Sequence, residues 1–458
     1  MDKKTYTSRT QDLERLDKEY VWHPFTQMAD WQAEDQVVIA SGEGNYLIDT
    51  EGRRYIDGVS SLWVNVHGHR RREIDLALME QLSRIAHSTF LGLTHEPAIR
   101  LAEKLAGISP PGLSKTFFSD NGSTAVEVAL KTAYQYWQQR DDPQPARKRF
   151  ISFTNGYHGD TIGSVSVGGI DLFHQVYKPL LFDAIQVPSA YCYRCYLKKE
   201  FPSCGMSCLA DVEEAMSRCR GEAAAVIMEP LVQGAGGMIV FPPGYTAKVR
   251  ELAAKYGILF IADEVATGFG RTGSMFACQQ EGITPDFMAA AKGITGGYLP
   301  LAVTMTTPEI FNAFCGEYKE KKTFFHGHTY TANPLACAAA LANLAIFERE
   351  KTIETMQPKI EWLKENLQAL YRLSHVGDVR QAGFMIGIEL IKDCDSKEPY
   401  PYEEKIGIKV IQTARKKGLI IRPLGDVIVL MPPLTITDKQ LREILEKTYD
   451  SIKEVTGA

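Results

Sequence analysis

An apolar run over 259–262 stops abruptly at Asp263-Glu264, so two carboxylates stand where a buried strand should leave its core. A second apolar stretch, 287–291, ends at Lys292 and is followed by Gly293, which lets a backbone or a ligand approach closely. A lysine desolvated in this way gives up part of its charge and can attack a carbonyl. A fixed carboxylate can keep a heteroaromatic nitrogen protonated, so that its ring accepts electrons. Pyridoxal phosphate needs both. Asp263 alone reads equally as a helix cap or a surface ion pair, and Lys292 alone as a snorkelling lysine. Together, among the glycine-rich runs GFGRTG and GITGGY, they favour chemistry.

Other residues gather around that idea. In SDNGSTAVE (119–127) a strand ends in small polar residues and runs into a helix. Such a start offers N–H groups and a positive dipole to a phosphate, and Gly122 removes a side chain that would block it. An ordinary N-cap would use the same residues. NGYHGD (155–160) holds Tyr157 between glycines, placed either to stack on a flat ring or to anchor a loop in the core. Glu229 ends a further apolar strand, and carboxylates at such ends collect at the C-terminal edge of a parallel sheet. In FFHGHTYTANP (324–334), His326 and His328 lack the carboxylate or thiol neighbours a metal would need, and Thr329 reads as a phosphate ligand. His67 and His69 read as core or loop histidines. Arg422 ends an apolar strand before Pro423, suited to a substrate carboxylate or to an interdomain salt bridge.

The elements that must position these groups alternate along the chain. Strands are expected at 116–119, 149–153, 224–228, 258–262 and 301–305, with helices between them such as 125–139 and 245–256. This is the pattern of a mostly parallel sheet flanked by helices. Beyond a long helical segment at 333–350 come strands at 381–391 and 419–423, a helix between them, and a last helix from 438. These form a smaller α+β layer, with which the strands expected at 45–49 and 53–57 are placed. The expected division is an N-terminal segment over 1–66, a large domain over 67–345 and a small C-terminal domain over 346–458.

Composition narrows the classes. A net charge of −5 over 458 residues, with no long basic run, argues against nucleic acid as a partner. The first twenty residues are polar and mixed in charge, unlike a signal peptide, and 334–347 is too short to span a bilayer. A cytoplasmic protein without a membrane partner is the expectation. Four of the nine cysteines form Cys192-x2-Cys195-x8-Cys204-x3-Cys208. That loop suits a zinc ion, an iron–sulfur cluster, or simply free thiols on a surface insertion.

Taken together, IADEVATGFGRTG, AAAKGITGGYLP, GYHGDT and HTYTANP resemble, in order and spacing, the class III, fold type I, pyridoxal-phosphate aminotransferases. The resemblance covers nearly the whole chain. WHPFTQM, SSLWVNVHGH, EPLVQGAGGM and RPLGDVIVLMPP are most similar to the branch that serves biotin biosynthesis. The resemblance implies that Lys292 joins the cofactor and moves the proton, that Asp263 pairs with the ring nitrogen and that Tyr157 stacks on the ring. It places Gly122 and Ser123 of one subunit, with Thr329 of the other, on the phosphate, and so implies a homodimer with shared sites. His158, Glu229 and His328 would complete the cofactor's surroundings.

For the substrates, it implies that Arg422 takes the carboxylate of 8-amino-7-oxononanoate. Trp63, Tyr157 and Gly327 would lie along that acid beside Lys292. Members of the branch that use S-adenosylmethionine as amino donor carry Tyr at the position of Phe25 and Trp at that of Leu62. Phe25 offers no hydroxyl and Leu62 no flat face for a sulfonium, so a lysine donor is expected. The rival expectations are another ω-aminotransferase, acting on a diamine or acetylornithine, and a non-catalytic cofactor-binding regulator.

Overall fold

The computed structural model describes residues 7–457; the first six residues of the expected N-terminal segment lie outside that range. The N-terminal part supplies β1 (Ile39–Glu43), β2 (Tyr46–Asp49) and β3 (Arg54–Asp57), joined antiparallel. Then follow β4 (Lys115–Ser119), β5 (Arg149–Phe153), β6 (Ala184–Val187) and β7 (Ala223–Met228). After a short ribbon of β8 (Val232–Gln233) and β9 (Ile239–Val240) come β10 (Leu259–Asp263), β11 (Phe287–Ala290) and β12 (Ala302–Thr306). Seven of these form the central sheet in the order β4-β12-β11-β10-β7-β5-β6. Only β12 runs against its neighbours, which is the mostly parallel α/β architecture expected.

Strand β7 reads AAAVIM and is buried throughout because helices cover both faces of the sheet. Val226 and Met228 pack with the helices Leu209–Arg218 and Tyr245–Lys255. Ala224 and Ile227 pack on the other side with Ala125, Ala129 and Ala133 of the helix Gly122–Gln139. Small side chains at that spacing let the helix lie close to the strands, so its first turn is held at the sheet's C-terminal edge. Among the described residues no helix is long and apolar enough to cross a membrane.

The C-terminal part corrects two expectations. The strand expected at 381–391 is a hairpin of β13 (Val376–Ala382) and β14 (Met385–Leu390), turning at Gly383 with φ +61°. A Cβ there would lie 2.4 Å from the backbone of Thr272, so both the dihedral and the close approach require glycine. The strand expected at 419–423 is split between two sheets. Its first half, β15 (Leu419–Ile420), joins β3 in parallel. Its second half, β16 (Arg422–Leu424), pairs with β17 (Val427–Leu430) at the edge of the sheet β13-β14-β17-β16. Pro423 lacks an N–H and is tolerated at such an edge. The switch at Ile421 ties the N-terminal sheet to the C-terminal one and carries Arg422 toward the central sheet's mouth.

Candidate active site

The C-terminal ends of β4, β5, β7, β10 and β11 open on one cavity of about 430 Å³, whose walls include Lys292, Asp263, Tyr157, Glu229, Ser123 and Trp63. Ligands of open α/β sheets bind at such an edge.

Lys292 opens a short turn, Lys292–Thr295, with φ +47°, a left-handed conformation that is strained for a lysine. The amide of Asn343 holds the turn by donating to the carbonyls of Gly293 and Ile294 at 2.9 and 3.1 Å. Lys292 Nζ lies 5.2 Å from the centre of the Trp63 ring. Burial pushes the ammonium below its ordinary range, against the pull of Asp263 and Glu229; buried Arg271 adds to the lowering. The result is an amine readier to lose its proton.

Asp263 is buried and held on both oxygens. His158 Nδ1 lies 2.7 Å from Oδ2, and the Val265 N–H donates to Oδ1 at 3.0 Å. Glu229 accepts the N–H groups of Tyr157 and Gly234 at 3.1 and 2.8 Å. Burial, reinforced by the charge of Asp263, pushes its carboxyl up to about 7 despite those bonds. Tyr157 donates its hydroxyl to Asp160 at 2.7 Å, and burial with that carboxylate raises the phenol, which stays protonated.

The helix Gly122–Gln139 is capped by Asn121, whose side chain accepts from the Thr124 N–H at 3.1 Å. Its first internal bond is donated by Ala125 to Asn121, so the Gly122 and Ser123 N–H groups precede the helical ladder. A Cβ on Gly122 would meet Val265 at 2.6 Å, and one on Gly159 would meet the Ser123 hydroxyl at 2.1 Å. Backbone, hydroxyl and dipole together form an anion cradle. An anion cradle, a fixed carboxylate and a desolvated lysine around one cavity fit pyridoxal phosphate in phosphate, ring nitrogen and aldehyde.

Other expected residues stand outside this cavity. Thr329 and Gly327 are exposed, and His328 Nδ1 lies 3.0 Å from Asp120, which is on the cavity wall. Phe25 is exposed and packs edge-on against Phe173, which packs edge-on against Tyr157, so it joins the site at second hand. Leu62 is exposed beside Trp63. Arg422 lies within electrostatic reach of Tyr157, and burial lowers its guanidinium. Among the described residues no carboxylate pairs with Arg422, so the interdomain salt bridge does not form.

Sequence reasoning missed three features. Phe173 and His174 flank Tyr157, the His174 ring nearly parallel to it with centres 6.4 Å apart. Ser60, Ser61, Leu62 and Trp63 all have positive φ, a left-handed turn that aims Trp63 at Lys292. Buried Arg271 brackets that turn by donating to the Ser60 hydroxyl at 3.1 Å and to the Asn65 and Pro432 carbonyls at 3.0 and 2.9 Å. In the sequence, GFGRTG reads as a glycine-rich run. An arginine inside an apolar, glycine-rich segment was the available signal.

Residues 28–452 match the model of the family described as Aminotransferase class-III. A protein of Geobacter sulfurreducens named adenosylmethionine-8-amino-7-oxononanoate aminotransferase is 55% identical, over 98% of this chain and 99% of its own length. The crystal structure of the enzyme of that name from Methanocaldococcus jannaschii superposes with a TM-score of 0.92 at 48% identity, covering 97% of this chain and 99% of the other. An (S)-enantioselective omega-transaminase from Thermomicrobium roseum gives a TM-score of 0.93 at 36% identity, covering 98% and 99%.

Proposed function

The chain belongs to the class-III aminotransferases, which depend on pyridoxal phosphate, and we propose that within them it aminates 8-amino-7-oxononanoate to 7,8-diaminononanoate in biotin biosynthesis. The donor's amino group goes to the 7-keto carbon, and the donor leaves as its own keto or aldehyde product. The observation that carries this reading is the meeting of Lys292, Asp263 and the Gly122–Ser123 helix start at one cavity. Relatives of the same printed name at 49–55% identity support the acceptor.

When bound, the cofactor supplies an aldehyde that carries the amino group and a ring that takes up the electron pair of the Cα–H bond. Lys292, desolvated and readier to lose its proton, would hold that aldehyde through its amine and would lift and return the proton at the substrate carbon. Asp263 keeps the ring nitrogen protonated, and His158 fixes the carboxylate that does so. Gly122 and Ser123 hold the phosphate through backbone N–H groups and a hydroxyl. Tyr157 would stack on the ring, its hydroxyl anchored by Asp160. Glu229 anchors the backbone of Tyr157. Arg422, free of a carboxylate partner, takes the acid end of the oxononanoate in bidentate fashion. Trp63 walls the channel for its hydrocarbon chain.

Thr329, with Gly327 and His328, does not line this chain's own cavity. We assign it to the phosphate of a partner subunit's site, in a homodimer whose two sites each draw on both chains. The divisions after residues 66 and 345, and a cytoplasmic setting, belong to the same reading.

S-adenosylmethionine is the proposed donor, as the relatives' names have it, in place of the lysine expected from Phe25 and Leu62. Lysine stays the second reading because neither residue offers a hydroxyl or a flat aromatic face to a sulfonium. Absorption of the holoenzyme before and after each donor, with product analysis after adding the keto acid, tests both. Bleaching and diamine formation with S-adenosylmethionine alone support the first; turnover with lysine alone transfers the assignment to the second.

A further inference from the structure

The loop between β6 and the helix Leu209–Arg218 carries Cys192, Cys195, Cys204 and Cys208, and transamination uses none of them. Its first turn is pinned to the C-terminal sheet. Arg194 Nε donates to Glu389 on β14 at 2.6 Å, and the Tyr191 hydroxyl donates to the other carboxylate oxygen. Its second turn runs from Cys204 through Gly205 and Met206, at φ +54° and +57°, to Cys208, which occupies the N-cap position of the helix. The two turns face each other, and all four thiols line one pocket of about 20 Å³. That volume suits a single ion or water and excludes an organic ligand. None of the four is in a disulfide.

We propose that Cys192, Cys195, Cys204 and Cys208 are the ligands of a structural zinc ion. The spacings of two and three residues within the pairs are those of zinc-binding turns. Thiolate donors favour zinc over calcium or magnesium, and four protein ligands leave no open position for catalysis. Each thiol gives up its proton on ligation. Lys199 lies on the pocket wall, its Nζ 3.1 Å from the Ser207 hydroxyl, and sets a positive charge beside the resulting dianionic centre. As they stand, no three His, Cys, Asp or Glu side chains among the described residues are placed to hold an ion. Ligation would therefore draw the two turns together; a Cβ at Gly205 would meet nothing within 4 Å, so no packed neighbour stands against that side of the second turn. The ion would lock the loop onto β14, in the sheet whose edge strand carries Arg422.

The test is metal analysis of the purified holoenzyme, with about one zinc per chain expected. The Cys204→Ser/Cys208→Ser double variant should lose that zinc, and Cys315→Ser/Cys394→Ser, changed at two exposed cysteines elsewhere, should keep it. In case the first variant fails to fold, wild-type protein stripped by a chelator is titrated with cobalt(II), which should give the thiolate charge-transfer and tetrahedral d–d absorption. Zinc-free protein that takes up no cobalt overturns the proposal. So does a disulfide within 192–208 in the unreduced protein, or iron with the absorption of an iron–sulfur cluster.

Discussion

His158 Nδ1 and Asp263 Oδ2 stand 2.7 Å apart, both side chains closed off from solvent, joining the loop after β5 to the end of β10, 105 residues apart in sequence. The contact fixes the orientation of the one carboxylate at the end of β10 that faces the cavity. Its neighbour, Glu264, is turned the other way, accepting from the Thr267 hydroxyl and the Ala277 and Cys278 N–H groups. Two adjacent acids thus serve two ends: Glu264 holds a loop, and Asp263 faces the cavity, where the proposed function sets the ring nitrogen.

Replacing His158 with leucine leaves Asp263 buried with one bond fewer. An unsatisfied buried acceptor costs about 1–3 kcal/mol, or roughly 5- to 150-fold where the cofactor ring is concerned. Cofactor affinity and kcat should both fall by such a factor while the fold persists. Asp263→Asn should cost more, about 10²–10⁴ in kcat, since it removes the charge that secures the ring proton. Spectral titration with cofactor, read beside kcat, separates the two variants, and a harmless His158→Leu would dismiss the positioning role.

Lys292→Ala should abolish turnover, by roughly 10⁴-fold or more, because attack on the aldehyde and proton transfer are lost together. Borohydride treatment followed by peptide mass analysis should find cofactor on Lys292 in the wild type and none in the variant. Measurable turnover in the variant would remove the central assignment.

Glu229 gives a pH signature. Its carboxyl rises from 4.5 in the ordinary state to about 7 in the fold. A raised value means that the native state holds its proton more tightly than the unfolded chain does. The associated stability is full below 4.5 and is lost as pH climbs through about 7. Melting temperature against pH should therefore decline over that window in the wild type and flatten in Glu229→Gln. Parallel curves would contradict it.

Arg422→Met should raise KM for the oxononanoate by roughly 10- to 150-fold, the 1.5–3 kcal/mol worth of a charged hydrogen bond, and change kcat less. Arg422→Lys should recover only part of the loss, since an ammonium cannot reproduce the bidentate fork. The same KM in all three proteins would place the carboxylate elsewhere.

Gly122→Ala puts a methyl group against Val265 at 2.6 Å, at the turn that must present its N–H groups. Cofactor affinity should fall, with far-ultraviolet circular dichroism unchanged. Unaltered affinity would show that the helix start does not hold the phosphate.

The strand ends were readable because their signal is local. An apolar run that stops at Asp263, Glu229 or Lys292 marks where a buried strand emerges, whatever lies around it. The same local logic misread 381–391, where Gly383 was a turn inside what looked like one strand, and 419–423, whose halves belong to different sheets. Continuous apolar runs do not record where the chain changes partners. Nor does the run around Thr329 record that it lies off this chain's cavity.

The amino-acid sequence by itself determined the alternation of strands and helices, the carboxylates and lysine at the sheet's edge, and through its motifs the family. Only the tertiary structure decided that His158 holds Asp263, that Arg271 clamps the turn bearing Trp63, and that four thiols share one pocket. Those contacts depend on which distant segments meet, and their energies arise from burial and hydrogen-bond geometry that no local pattern encodes.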